Sequence, residues 1–182
     1  NDADFARATF ARADLTIAAL VGADLRGADL RETNLDRASL IEPKLHGVDL
    51  RGAKLTQATL THADLTSAEL AGAQLAKAIL LGAKLAGVDL RGLDLTLTQL
   101  IGADLRGCDL SGADLSGAHG LTQGQLEEAC GDGATRLPSG LGAPKGCHGV
   151  TLRIRLPAIP RPPAPPAPPL PPVSLHHHGS GD

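Results

Sequence analysis

A leucine or phenylalanine stands at every fifth position from Phe5 to Leu115, twenty-three times without a slip. Two places before each usually lies a small or modest apolar residue, such as Ala3, Ala8, Ala13 or Ala28. A polar residue, often aspartate, stands between the two, as in Ala23-Asp24-Leu25. On an α-helix a five-residue step advances each leucine by about 500°, which scatters the leucines around the surface and rules out an amphipathic helix. In extended chain, residues two apart share a side, so Ala23 and Leu25 point inward together while Asp24 points out. The other two residues of each five must turn the chain, and the second is often glycine, as at Gly22, Gly47 and Gly87, where the lack of a Cβ suits a corner.

A chain that turns the same way at every corner coils, and its coils stack through backbone hydrogen bonds as a parallel β-solenoid. Outward columns reveal how many corners close a coil. Among residues that directly follow the fifth-position leucines, the bulky aliphatics are Val21, Ile41, Leu81 and Ile101, spaced by multiples of twenty and interrupted by Thr61. A second twenty-residue column reads Asp29, Asp49, Glu69, Asp89 and Asp109, acidic at every level after Thr9. Both columns predict four corners per coil.

The A(D/N)Lxx unit repeated over residues 3–118 resembles the pentapeptide-repeat family. That resemblance implies an all-β fold, a right-handed quadrilateral parallel β-helix of about twenty residues per coil and nearly six coils. The expected core ladder includes Phe5, Phe10, Leu25, Leu45, Leu65, Leu85, Leu105 and Leu115. With no Met, Trp or Tyr in the chain, the core must be layers of leucine and alanine, each buried leucine contributing about 1.5–3 kcal/mol before chain entropy is subtracted. Phe5 and Phe10 would plug the first end of that core, or stack on another copy or on a preceding cap. Pro43 takes an inward position and predicts a local ladder defect. Val48, Val88, Leu93 and Cys108 replace the usual small inward residue, which makes Cys108 a core thiol.

Four segments are expected: the repeat solenoid over 1–119, a capping helix and turn over 120–138, a loop and short strand over 139–156, and a proline-rich tail over 157–182. Thr122 and Gln125 form a T-x-x-Q capping box, Leu121 and Leu126 have the spacing of a hydrophobic staple, and Gly131 would end the helix after Cys130. The segment Thr135-Arg136-Leu137-Pro138 resembles the tail that follows such repeats, and the helix should cover the last coil. Residues 150–156 alternate apolar and polar as a strand with a basic face, suited to docking on the domain or adding to a partner's sheet edge. Residues 157–172 read as a polyproline II spacer or ligand, and His176-His177-His178 as an appended remnant or native low complexity.

Net charge is −3, with sixteen acidic against twelve basic residues in 1–119, so a strongly basic nucleic-acid binder is excluded and no direct nucleic-acid binding is expected. No apolar run has the length of a transmembrane helix and no signal peptide precedes the repeats, from which a cytoplasmic location is expected, and the family resemblance implies a bacterial protein. Asn1 falls mid-repeat without a methionine, which suggests processing or a longer parent chain.

The side chains give no catalytic constellation. His46, His62 and His119 point outward in different columns with no serine or cysteine paired to them. Three cysteines supply no even disulfide framework. Cys130, Cys147 and His148 could meet only if the tail folded back, and without C-x-x-C or H-x₃-H spacing the expectation is two free thiols and no metal or other cofactor. The chain is therefore read as no enzyme.

What remains is surface. The aliphatic column of Val21, Ile41, Leu81 and Ile101, flanked by Ile17, Ile79 and Leu97, makes an apolar strip expected to bind a protein partner or another copy in a homodimer. The acidic column raises an alternative, since the family that the repeat resembles includes a quinolone-resistance branch whose acidic rods mimic DNA and modulate gyrase, a type II topoisomerase. Arg31, Arg51 and Arg91 stand two residues after Asp29, Asp49 and Asp89 and weaken that likeness. A third reading is a structural spacer within a larger protein.

Overall fold

The computed structural model describes residues 2–147. At every corner but the one before Pro43, the N–H of the inward residue returns to the carbonyl three residues earlier, as from Ala28 to Leu25 (3.0 Å). This closes a β-turn whose second central residue has positive φ. Between corners, parallel bridges join outward residues to those twenty positions on, from Asp4↔Asp24 through Gln99↔His119, with Glu69 and Asp89 the one pair in that run left unbridged. Two kinds of bond make each bridge. Leu25 N donates to Lys44 O (2.9 Å) toward the next coil, and Asp24 N to Ala3 O (2.9 Å) toward the previous one. Four turns per twenty-residue period give the coil four sides.

Leu25, Leu45, Leu65, Leu85, Leu105 and Leu115 are all buried, together with Cys108, Val48, Val88 and Leu93. Phe5 and Phe10 are half-buried against this core and meet edge to face, ring centroids 5.3 Å apart. Thr33 and Thr98 also occupy inward positions and are buried. Their hydroxyls donate to Phe10 O and Leu95 O, each at 2.8 Å, which removes the cost of a bare polar group in a leucine interior.

Half the corners depart from the glycine expectation. Arg7, Arg12, Ile17, Glu32, Arg37, Gln57, Ser67, Lys77 and Leu97 are among the non-glycine residues that hold φ between 56° and 63° at the same corner place. Pro43 also acts differently from expectation. The bond an inward residue's N–H makes is the turn bond, so what proline forfeits is the Leu40 corner, while the Lys44↔Asp64 bridge persists and Asp64 N still reaches Pro43 O at 3.3 Å.

Beyond the repeats, helix α1 (Gln123–Glu128) begins at Thr122, whose Oγ1 accepts from Gln125 N (3.3 Å) while Gln125 Oε1 accepts from Thr122 N (2.9 Å). The Gln125 amide also donates to Leu100 O (3.0 Å) and Ala103 O (2.8 Å), pinning the helix to the last coil. Leu121 and Leu126 are buried beneath it. The helix stops at Ala129 in extended conformation, so Gly131 is not its terminator. Gly131 lies in strand β1 (Cys130–Gly131), where an added Cβ would meet Pro144 Cγ at 2.6 Å and Thr135 Oγ1 at 2.8 Å.

The ladder continues past the last repeat. Asp109 bridges to Cys130 and Asp114 to Arg136, and strand β2 (Lys145–Gly146), inside the stretch expected as glycine-rich loop, pairs in parallel with β1. Thr135 Oγ1 donates to Leu110 O (2.9 Å). Two sides of the final coil's edge are thus paired, which is how a β-edge is kept from joining another. The expected strand over 150–156, the proline-rich tail, His148 and the histidine tract lie outside the described residues. Among the described residues no helix is long and apolar enough to cross a membrane.

Candidate interaction surfaces

Each flat side of the coil is a set of five-residue segments stacked twenty apart, bounded by a positive-φ residue at one corner and a residue following a leucine at the other. One side is built from 17–21, 37–41, 57–61, 77–81 and 97–101. Its central ladder runs Ala19, Ser39, Thr59, Ile79, Gln99, with no charge. Its two borders carry Ile17 and Leu97 on one side and Val21, Ile41, Leu81 and Ile101 on the other. Ile17 (64% exposed), Ile41 (37%), Leu97 (46%) and Ile101 (53%) are the large aliphatics exposed among the described residues, and all four are on this side. Val21, Ile79 and Leu81 are half-buried. Charge enters this side only through Arg37 and Lys77 at its corners.

The acidic column has another character. Asp29, Asp49 and Asp89 each take a two-pronged contact from the arginine two residues on, Arg31 Nη2 at 2.7 Å from Asp29 Oδ2 and Arg51 Nη2 at 2.6 Å from Asp49 Oδ2. Neighbouring coils are then linked through Arg31 Nε to Asp49 (3.6 Å), Arg51 Nε to Glu69 (3.1 Å) and Arg91 Nε to Asp109 (3.9 Å). The Arg31 side-chain hydrogen bonds hold the Asp29 carboxyl down to about 2, and those of Arg26 do the same for Asp24. Three arginines among five acidic residues thus offset much of the column's negative charge.

Cys130 and Cys147 form a disulfide, which corrects the expectation of two free thiols. The reason is topological: the pairing of β2 on β1 carries Cys147 back over Cys130, and nothing in the local spacing of these cysteines encodes that return. Cys108 stays free and buried, its Sγ donating to Leu85 O (3.0 Å), and burial pushes its thiol up to about 12. His46 Nδ1 pairs with Thr66 Oγ1 (2.8 Å), a coil-to-coil contact.

The family model for pentapeptide repeats matches eight copies, over residues 1–27, 18–57, 44–82, 53–92 and 78–117. Comparison with proteins of curated function found no match. Among solved structures, a trypsin-treated variant of QnrB1, a plasmid-mediated fluoroquinolone resistance protein, aligns with a TM-score of 0.54 at 20% identity over 69% of this chain and 70% of that one. HetL, a pentapeptide repeat protein involved in heterocyst differentiation regulation from the cyanobacterium Nostoc sp. strain PCC 7120, aligns at 33% identity over 64% of this chain and 62% of that one, with a TM-score of 0.29.

Proposed function

Because this chain belongs to the pentapeptide-repeat family, whose members fold as right-handed quadrilateral β-helices and are generally non-catalytic, we propose that it is a binding scaffold. It docks a protein through the side bearing Ile17, Val21, Ile41, Leu81, Leu97 and Ile101. One observation carries the reading: the exposed large aliphatics of the described residues gather on a single side whose central ladder has no charge. Scattered surface aliphatics are ordinary, but an aligned strip flanked by polar sides is how soluble proteins mark an interface. A flat β-side also offers a rigid template, so little order has to be imposed on binding.

The test is the solution mass and cross-linked partner set of the wild type and of a variant with Val21, Ile41, Leu81 and Ile101 all changed to lysine. The scaffold reading expects the folded variant to lose an assembly that the wild type forms, with a second copy or with a different protein. Identical assemblies for both proteins would sink it.

The gyrase-modulating alternative draws less support. The likeness to QnrB1 at 20% identity speaks for fold alone, and the arginine contacts along Asp29, Asp49 and Asp89 remove the bare charge that mimicry of a duplex calls for. Inhibition of supercoiling at sub-micromolar protein would reverse this ranking.

A further inference from the structure

The acidic column lacks an arginine two residues on at Glu69, which is followed by Ala71, and at Asp109. Asp29, Asp49 and Asp89 each have an arginine two residues on, whereas Asp109 is followed by Ser111, whose N–H donates to Oδ1 at 2.9 Å. Arg91 comes only within 3.9 Å of the other oxygen. Where the local guanidinium would lie, the fold brings in sulfur: Cys147 Sγ is 3.1 Å from Asp109 Oδ1 and 3.5 Å from Ser111 Oγ. The Asp109 carboxylate, Cys130 Sγ and Cys147 Sγ all lie within 4.8 Å of one another. Backbone pairing sets this up, because Cys130 bridges to Asp109 and pairs with Lys145, two residues before Cys147.

As a disulfide, neither sulfur carries a hydrogen, so the carboxylate beside Cys147 gains no donor from it. Reduced, the same three residues become two thiol ligands and one carboxylate gathered within 4.8 Å of one another. We propose that Asp109, Cys130 and Cys147 form a redox-gated site for one thiophilic divalent cation of the zinc type. A dithiol reductant gives two electrons and two protons to the Cys130–Cys147 bond and leaves as its own disulfide. Ion binding then displaces both thiol protons to solvent and forms two metal–sulfur bonds and one metal–oxygen bond to Asp109. Water takes the fourth tetrahedral position. Oxidation releases the ion and restores the covalent clamp.

The probe is Co²⁺, whose thiolate-to-metal charge-transfer absorption reports cysteine ligation and is blind to His176–His178. Full-length protein is reduced with a phosphine, freed of reductant without air, and titrated beside the oxidised protein, with circular dichroism confirming that each form keeps its fold. One equivalent bound by the reduced chain and none by the oxidised chain is the expected result. Cys130→Ser and Cys147→Ser abolish the band. Asp109→Asn, an exchange the repeat already contains at Asn34, weakens binding by more than the about tenfold that even an outer partner of a ligand is worth. Absence of the charge-transfer band in folded, reduced wild type overturns the proposal and leaves the pair as a structural clamp only. So does an Asp109→Asn protein that binds as tightly as wild type.

Discussion

The positive-φ corners allow opposite substitutions whose effects have opposite signs. Gly87 sits at φ 72° with nothing within 4 Å of where a Cβ would go, so alanine there meets no neighbour and its effect is purely conformational. An L-residue in the left-handed region costs about 1–2 kcal/mol. Against that, glycine's larger loss of freedom on folding is worth about 0.5–1 kcal/mol. Gly87→Ala should therefore destabilise by about 1 kcal/mol. Gln57, exposed at φ 59°, is the mirror case, and Gln57→Gly should stabilise by a similar amount. Gly87→Asn should fall between glycine and alanine, because asparagine enters the left-handed region more readily than other side chains. The assay is urea and thermal unfolding followed by circular dichroism, where about 1 kcal/mol corresponds to roughly 2–4 °C in a chain of this size. Shifts of the same sign for Gly87→Ala and Gln57→Gly, or an asparagine no better than alanine, would refute the account of the corners.

Leu65→Ala, at a position 1% exposed, should cost about 2–5 kcal/mol, with hydrogen exchange accelerating first in its own and adjoining coils, since each coil touches only its neighbours. Thr98→Val keeps the shape but deletes the donor to Leu95 O, and should lower stability by about 1 kcal/mol in the same unfolding assay. Asp24 and Asp29 have folded values near 2, below the ordinary 3.8. Their contribution is complete above about pH 4 and is lost as pH falls toward 2, so the urea midpoint should drop over that window and drop less steeply in Asp24→Asn. Cys108, pushed up to about 12 by burial, should resist alkylation at pH 8 in the native protein and react only after unfolding, as mass spectrometry will read.

The coil was legible because its period is written into every repeat: Leu25 alone predicts nothing, but Leu25 through Leu115 admit one geometry. The apolar side was legible for the same reason, as a twenty-residue column is a sequence property once the coil length is known. Three features escaped. The disulfide depends on where residues 131–147 return, and the spacing of Cys130 and Cys147 carries no signal of that path. Thr33 and Thr98 are buried because a carbonyl within reach accepts each hydroxyl, a satisfaction that composition cannot reveal. Gln125 was readable as a capping residue, yet its second use, tying the helix to Leu100 and Ala103, needed the last coil in place.

The twenty-residue pairing of outward residues from coil to coil also acts as a clock for the surface. Insert five residues at a corner and the solenoid still closes, since each unit carries its own turn, but everything downstream is dealt a quarter revolution. Placed between Ile41 and Leu81, such an insertion would leave Ile17, Val21 and Ile41 on one side and swing Leu81, Leu97 and Ile101 to the next, splitting a single apolar strip into two half-strips at right angles. Inserting twenty residues would instead lengthen the rod and keep the strip aligned. Growth of this chain is thus neutral for folding in steps of five but neutral for recognition only in steps of twenty.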